Sequence, residues 1–179
     1  MIFKSVFYLF TFVLISCKDV NSGLQWKTTE NKSENFQVIV EANVERDDNF
    51  CLYYTTDGTL NFGLLKPIWV NVKGSNHNQK ITFELPKTVK PTELRIDFGT
   101  NPEQPEVILR KITLCYGQNN LEIPGTLIFS YFTPDFKKTT FDAKSGKLGG
   151  KMVSGIWKSP SLYPKGKGLN SKIEELFAH

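Results

Sequence analysis

Phe36-Gln37-Val38-Ile39-Val40-Glu41-Ala42-Asn43-Val44 is the stretch that decides the fold of this chain. Phe36, Val38, Val40, Ala42 and Val44 take every second position, with Gln37, Glu41 and Asn43 among the residues between them. A period of two puts all five on one face of a pleated strand, whereas a helix would scatter them around its axis. Working outward, Asp47-Asp48-Asn49 makes a turn, residues 50–54 run on as a second strand, and Thr56-Asp57-Gly58 marks the next turn. Ile68, Val70 and Val72 then alternate against Trp69, Asn71 and Lys73. After a loop at 74–79, Ile81, Phe83 and Leu85 alternate again. Residues 94–98 and 107–116 supply two more strands, and 126–132 and 152–157 read as further β-like runs. Short strands with a turn about every ten residues predict an all-β, antiparallel two-layer sandwich. Its expected core is Val38, Val40, Leu52, Val70, Phe83, Ile96, Ile112 and Leu114. One helix is expected at the end. Ser171 and Glu174 have capping-box spacing, and Ile173, Leu176 and Phe177 share a face that would dock on the sandwich as a short lid.

The start of the chain is of a different kind. Lys4 is the only charge in the first five residues, and residues 6–15 are apolar apart from Thr11. That is the length of a signal-peptide core and about half of what a membrane-spanning helix needs, roughly twenty residues. Leu14-Ile15-Ser16-Cys17 closes it. These residues resemble the signal of bacterial lipoproteins: an aliphatic residue, a tolerant position, a small residue and the cysteine that takes the lipid. The resemblance covers the first 17 residues. It implies cleavage before Cys17, diacylglycerol on its sulfur and a membrane as partner. Lys18 stands where that family places the Asp that retains a protein in the inner membrane, which favours the outer membrane and leaves outer-face exposure open. The expected organisation is a signal at 1–16, a lipidated cysteine and flexible polar tether at 17–35, the sandwich at 36–160, and an extension with the helix at 161–179.

Ile81-Thr82-Phe83-Glu84-Leu85-Pro86, Lys90-Pro91, Leu94-Arg95-Ile96-Asp97-Phe98-Gly99 and Ile112-Thr113-Leu114 carry a second resemblance. They look like jelly-roll sandwiches of the carbohydrate-binding, galactose-binding-like sort. That likeness rests on β-patterning over about half of the chain beyond the signal. It implies a binding module, in some relatives with a structural calcium and a ligand-facing aromatic cluster.

Composition narrows the chemistry. Twenty-two basic groups oppose 18 acids, and the charge looks thinly spread, locally basic only near Lys165 and Lys167. There is no Arg-rich stripe and no stacking-plus-basic motif, so nucleic acid is not an expected partner. The two histidines, His77 and His179, stand without a nucleophile beside them in sequence, and no ligand-spaced cluster indicates zinc. No catalytic residue is assigned. Glu41, Glu84, Asp97 and Asp142 are carboxylates that a glycosidase would need in a pair across a cleft, and nothing in the sequence pairs them. Asp47, Asp48 and Asp57 offer oxygens to a calcium ion, or simply stabilise their turns. No other cofactor is expected. Cys51 and Cys115 sit in expected strands, open to a disulfide in an oxidising compartment or to two separate half-buried thiols. The ligand candidates are Trp69, Asn71 and Tyr53, which alternation places opposite the apolar set of their strands. An outward indole beside an amide can stack on a sugar ring and bond its hydroxyls. The competing reading packs that face against the rest of the molecule. Three functions follow: a lipid-anchored, non-catalytic binding domain for a glycan or partner protein, an accessory subunit of an envelope complex, or a glycoside hydrolase-like enzyme.

Overall fold

The computed structural model of the chain describes residues 23–178. The signal and Cys17 lie outside the described residues. The elements run β1 (Gln25–Val44), β2 (Asp48–Thr55), β3 (Ile68–Val72), β4 (Ser75–Glu84), β5 (Glu93–Phe98), β6 (Val107–Pro124), α1 (Gly125–Tyr131), β7 (Phe132–Pro134), β8 (Thr139–Asp142), β9 (Lys147–Val153), β10 (Ile156–Lys158), β11 (Ser161–Pro164) and α2 (Gly168–Ala178). The strands form two antiparallel sheets packed as a sandwich. The first has the order β10-β9-β6-β1-β4, with β8 on β9, and the second β3-β2-β5-β11-β7. The chain crosses between the sheets at β1 to β2, β3 to β4, β4 to β5, β5 to β6, β6 to β7 (through α1), β7 to β8 and β10 to β11.

Register explains the core. Val38 lies opposite Phe83 on one side and Leu114 on the other, and in the second sheet Leu52 lies opposite Ile96. Directly opposed residues share a face, so each sheet turns one apolar face inward. Seven of the eight expected core residues are wholly buried. Val70 is only half-buried because β3 is the edge strand of its sheet. α2 closes one end, burying Leu169, Ile173 and Leu176, and Phe177 meets the Phe36 ring at 5.7 Å and the Tyr116 ring at 4.4 Å.

Several expectations are corrected. Residues 25–35, expected as tether, belong to β1, where Gln25, Trp26, Lys27 and Thr28 pair with Glu122, Leu121, Asn120 and Asn119. Backbone pairing needs no apolar side chain, and residues 27–35 are all polar, so periodicity on the β1 side misses the ladder. Residues 161–164, expected as an extension, form β11 inside the second sheet, with Leu162 fully buried between Ile96 and Pro134. The run at 126–132 is mostly α1, its Ile128 buried in the core; seven mixed apolar residues are too few for periodicity to separate strand from helix. The run at 152–157 is a hairpin turning at Ser154 and Gly155, both in the left-handed region (φ 51° and 77°). α2 starts at Gly168, so Ser171 lies inside the helix and its hydroxyl donates to the Lys167 carbonyl at 3.2 Å instead of capping. The disulfide alternative is overturned. Cys51 and Cys115 are both free and buried, one in each sheet on its outward side, so the core lies between the two thiols.

Candidate functional site

The outer face of the second sheet gathers the most functional chemistry. Phe50, Leu52 and Ile96 point inward and are fully buried, so alternation sends Cys51, Tyr53, Arg95 and Asp97 outward. Cross-strand register sets Cys51 between Trp69 and Asp97, Ser161 against Asp97, and Tyr53 against Arg95. Tyr163 lies two residues beyond Ser161, on the same face. The Arg95 guanidinium rests between two rings, 4.6 Å from the centre of Tyr53 and 4.7 Å from that of Tyr163. It also grips Asp97 bidentately, Nε to Oδ1 at 2.9 Å and Nη2 to Oδ2 at 2.6 Å. The two charged side chains are only 18% and 12% exposed. Fixed planar geometry of this kind is what an Arg–carboxylate fork provides and a lysine would not.

Burial keeps the hydroxyls and the thiol of this face protonated. Burial pushes the Tyr53 hydroxyl up to about 12, helped by the neighbouring Cys51. Burial raises the Tyr163 hydroxyl as well, with Arg95 working against it. The Cys51 thiol is pushed up to about 11 by burial, only partly offset by its hydrogen bond with Tyr53. It is protonated at neutral pH, unlike a catalytic thiolate. Lys138 sits over the same face; burial lowers its pKa, and Asp97 opposes that shift.

Trp69 is 54% exposed at the edge of the platform, and Asn71 is exposed beside it. Their outward phase is as the alternation predicts. Tyr53, in contrast, is half-buried against Arg95 and serves as a wall of the stack rather than an open ring. Phe62, from the loop between β2 and β3, abuts Tyr163 edge-on with ring centres 6.0 Å apart and borders the platform. Arg95 and Asp97 are recognisable in the sequence as same-face neighbours. Tyr163 was missed because only the non-local pairing of β11 with β5 brings it there, and four residues carry no periodic signal.

The outer face of the first sheet is a groove of about 320 Å³ whose lining includes Lys27, Gln37, Glu41, Lys111, Cys115 and Glu122. Lys111 and Glu122 lie on one strand, eleven residues apart, a separation of about 36 Å if that strand were straight. Their charged atoms are 3.3 Å apart. β6 therefore folds back on itself, at Gly117 (φ 61°) and at the register breaks between Thr28 and Gln37. The bend assembles a chain of ion pairs: Glu41 to Lys111 at 3.0 Å, Lys111 to Glu122, and Glu122 to Lys27 at 2.8 Å. The Lys27 hydrogen bond holds the Glu122 carboxyl below its usual range, against burial. Cys115 lines the groove with its thiol raised to about 11 by burial. Among the described residues no aromatic side chain lines this groove, which offers hydrogen bonds and charge.

Of the remaining candidates, Asp57 is held by its own turn, whereas Asp47 and Asp48 tie the β1–β2 turn to neighbouring loops. Asp47 accepts from Lys73 at 2.6 Å and from the Gly74 amide at 2.8 Å, and the Asp48 Oδ1 accepts from the amides of Asn49, Thr100 and Asn101. Asp57 accepts from the Thr59 amide and hydroxyl. These are the bonds of acids that brace turns and join loops, and among the described residues no three His, Cys, Asp or Glu side chains gather as a metal site. The carboxylates considered for glycosidase chemistry are dispersed. Glu41 is in the groove, Glu84 bonds Asn35, Asp97 is in the Arg95 fork on the opposite sheet, and Asp142 braces a turn. Among the described residues, no helix is long and apolar enough to cross a membrane. No family model matches the chain, and comparison with curated proteins and with solved structures yields no match.

Proposed function

We propose that this chain is a lipid-anchored, non-catalytic binding domain of the cell envelope that takes a glycan on the outer face of its second sheet. The observation that carries the binding reading is the half-exposed Trp69 at the rim of the Tyr53–Arg95–Tyr163 stack. An indole supplies an apolar plane for the face of a pyranose ring, and the neutral hydroxyls and the Arg95–Asp97 pair supply donors and acceptors for its rim. Binding needs only such a platform and a few orienting groups, and the Cys51 thiol on this face is held protonated rather than activated. The anchor reading rests on Leu14-Ile15-Ser16-Cys17. The resemblance to carbohydrate-binding sandwiches agrees with the two-sheet architecture and bears on fold more than on ligand.

A glycan array probed with the parent chain and with Trp69→Ala tests the binding half. Hits for the parent that vanish in the variant are expected, and an array blank for both would refute it. Metabolic labelling with a fatty-acid analogue tests the anchor: label is expected on the parent and absent from Cys17→Ser. The accessory-subunit reading draws on one observation, the exposed Leu60 and Leu64 in the loop beside this face, at 60% and 67%. Envelope partners that co-purify with the parent but not with Leu60→Ser/Leu64→Ser would favour it.

A further inference from the structure

The charge of the chain is not spread thinly once it is folded. Of its 22 basic and 18 acidic residues, residues 136–168 hold eight lysines and one acid, Asp142, leaving 14 and 17 elsewhere. All of the net positive charge therefore sits on this one stretch, and the remainder of the chain is net acidic. The same stretch carries exposed apolar side chains. Phe136 is 62% exposed and Phe141 37%. Their ring centres are 5.5 Å apart, and Phe141 continues to Phe129 of α1 at 5.1 Å, forming a ridge of three rings. Lysines frame it: Lys151 donates to the Phe136 carbonyl at 3.0 Å, Lys165 donates to the Phe129 carbonyl at 3.3 Å, and Lys137 is exposed next to Phe136. The adjoining β9–β10 hairpin exposes Met152 at 63% and Ile156 at 60%.

The start of the described chain lies beside the helix that carries one ring of this ridge. Gly23 packs against the Leu127 side chain of α1, two residues before Phe129. Cys17 lies six positions before Gly23, a reach of at most about 20 Å. A lipid on Cys17 would therefore hold α1 close to the bilayer surface. We propose that the Phe129–Phe141–Phe136 ridge and its lysines dock on an anionic lipid bilayer. The rings enter the headgroup boundary while the ammonium groups meet lipid phosphates. The positional argument rests on the anchor reading above; the segregation of charge and the exposed rings do not. A soluble polyanion would satisfy the lysines equally well, and the exposed rings are what favour a bilayer over it.

The test uses residues 17–179 with Cys17→Ser, which keep every described element and carry no lipid, so it can fail independently of acylation. Co-sedimentation is measured with vesicles rich in phosphatidylglycerol and with pure phosphatidylcholine, with heparin as a soluble polyanion. The expected result is binding to the anionic vesicles, little to the neutral ones, and release by salt. Phe136→Ser/Phe141→Ser and, separately, the surface variant Lys137→Glu/Lys165→Glu should each weaken it by about tenfold or more. Leu60→Ser/Leu64→Ser, on another surface, should not. No binding to anionic vesicles, equal binding to neutral ones, or loss in the leucine variant would overturn the proposal. Heparin binding with full vesicle binding in the phenylalanine variant would replace it with a general polyanion surface.

Discussion

The outer faces of the two sheets start from the same rule and end with different chemistry. In both, alternation turns one set of side chains to the core and the other outward. The second sheet stays open, so its outward residues keep cross-strand neighbours and form a stack: a guanidinium between two tyrosines with an indole at the rim. The first sheet folds back on itself at Gly117, so its outward residues face one another across a groove and form a chain of ion pairs. Sheet curvature, as much as residue type, decides whether an outer face offers planes or charges. The stack is the surface on which the proposed ring-shaped ligand would lie. The groove is already occupied by its own counter-charges.

The largest expected effect removes both faces at once. Phe83, fully buried between the sheets, should cost about 3 to 5 kcal/mol when changed to Ala. Chemical denaturation measures this, and a loss within error would mean that the strand facing is wrong. Next come the two ion-pair systems. Arg95→Met leaves the largely buried Asp97 unpaired and removes the cation from between two rings, for about 2 kcal/mol. Lys111→Met should cost about 1 kcal/mol or less, because its ammonium is more exposed and lacks stacking. Equal losses in denaturant titrations would erase the distinction between the faces.

A smaller effect is alkaline and shared by both faces. Each cysteine is held near 11 by burial, against an ordinary value of 9.0. The unfolded chain therefore releases these protons first, so the contribution of the thiols is complete below about pH 9 and is lost as pH rises toward 11. The melting temperature of the parent should fall more steeply over that window than that of Cys51→Ala/Cys115→Ala. Parallel curves would contradict the burial of the thiols. The smallest effect is at Ser171. As a helix cap its replacement by Ala would cost about 1 kcal/mol, but inside α2 it should change stability by less than about 0.5 kcal/mol.

What the sequence made legible follows from how local each signal is. The β-class, the inward set from Phe36 to Leu114 and the outward phase of Trp69 and Asn71 all depend on alternation within one strand. The polar arm of β1 was illegible because residues 27–35 carry no apolar pattern and their pairing with β6 is a backbone event. β11 and Tyr163 were illegible because four residues cannot show a period. The groove depends on a bend at Gly117 that only long-range pairing defines. The basic ridge escaped notice because its lysines are spaced along 136–168 rather than consecutive, and folding, not sequence order, brings Lys151 and Lys165 to the same three rings.

The central claim is that ligand binding belongs to the open face and not to the groove. Its most direct measurement is a titration of the best array ligand against the parent, Trp69→Ala and the groove variant Lys80→Ala, each with its melting temperature. Lys80 is exposed on the groove wall, and Trp69 is the half-exposed rim of the stack. The account predicts a loss of affinity of about tenfold or more in Trp69→Ala with a midpoint shifted by no more than a few degrees, and no change in Lys80→Ala. Unchanged binding in Trp69→Ala, or a fall confined to Lys80→Ala, would contradict it.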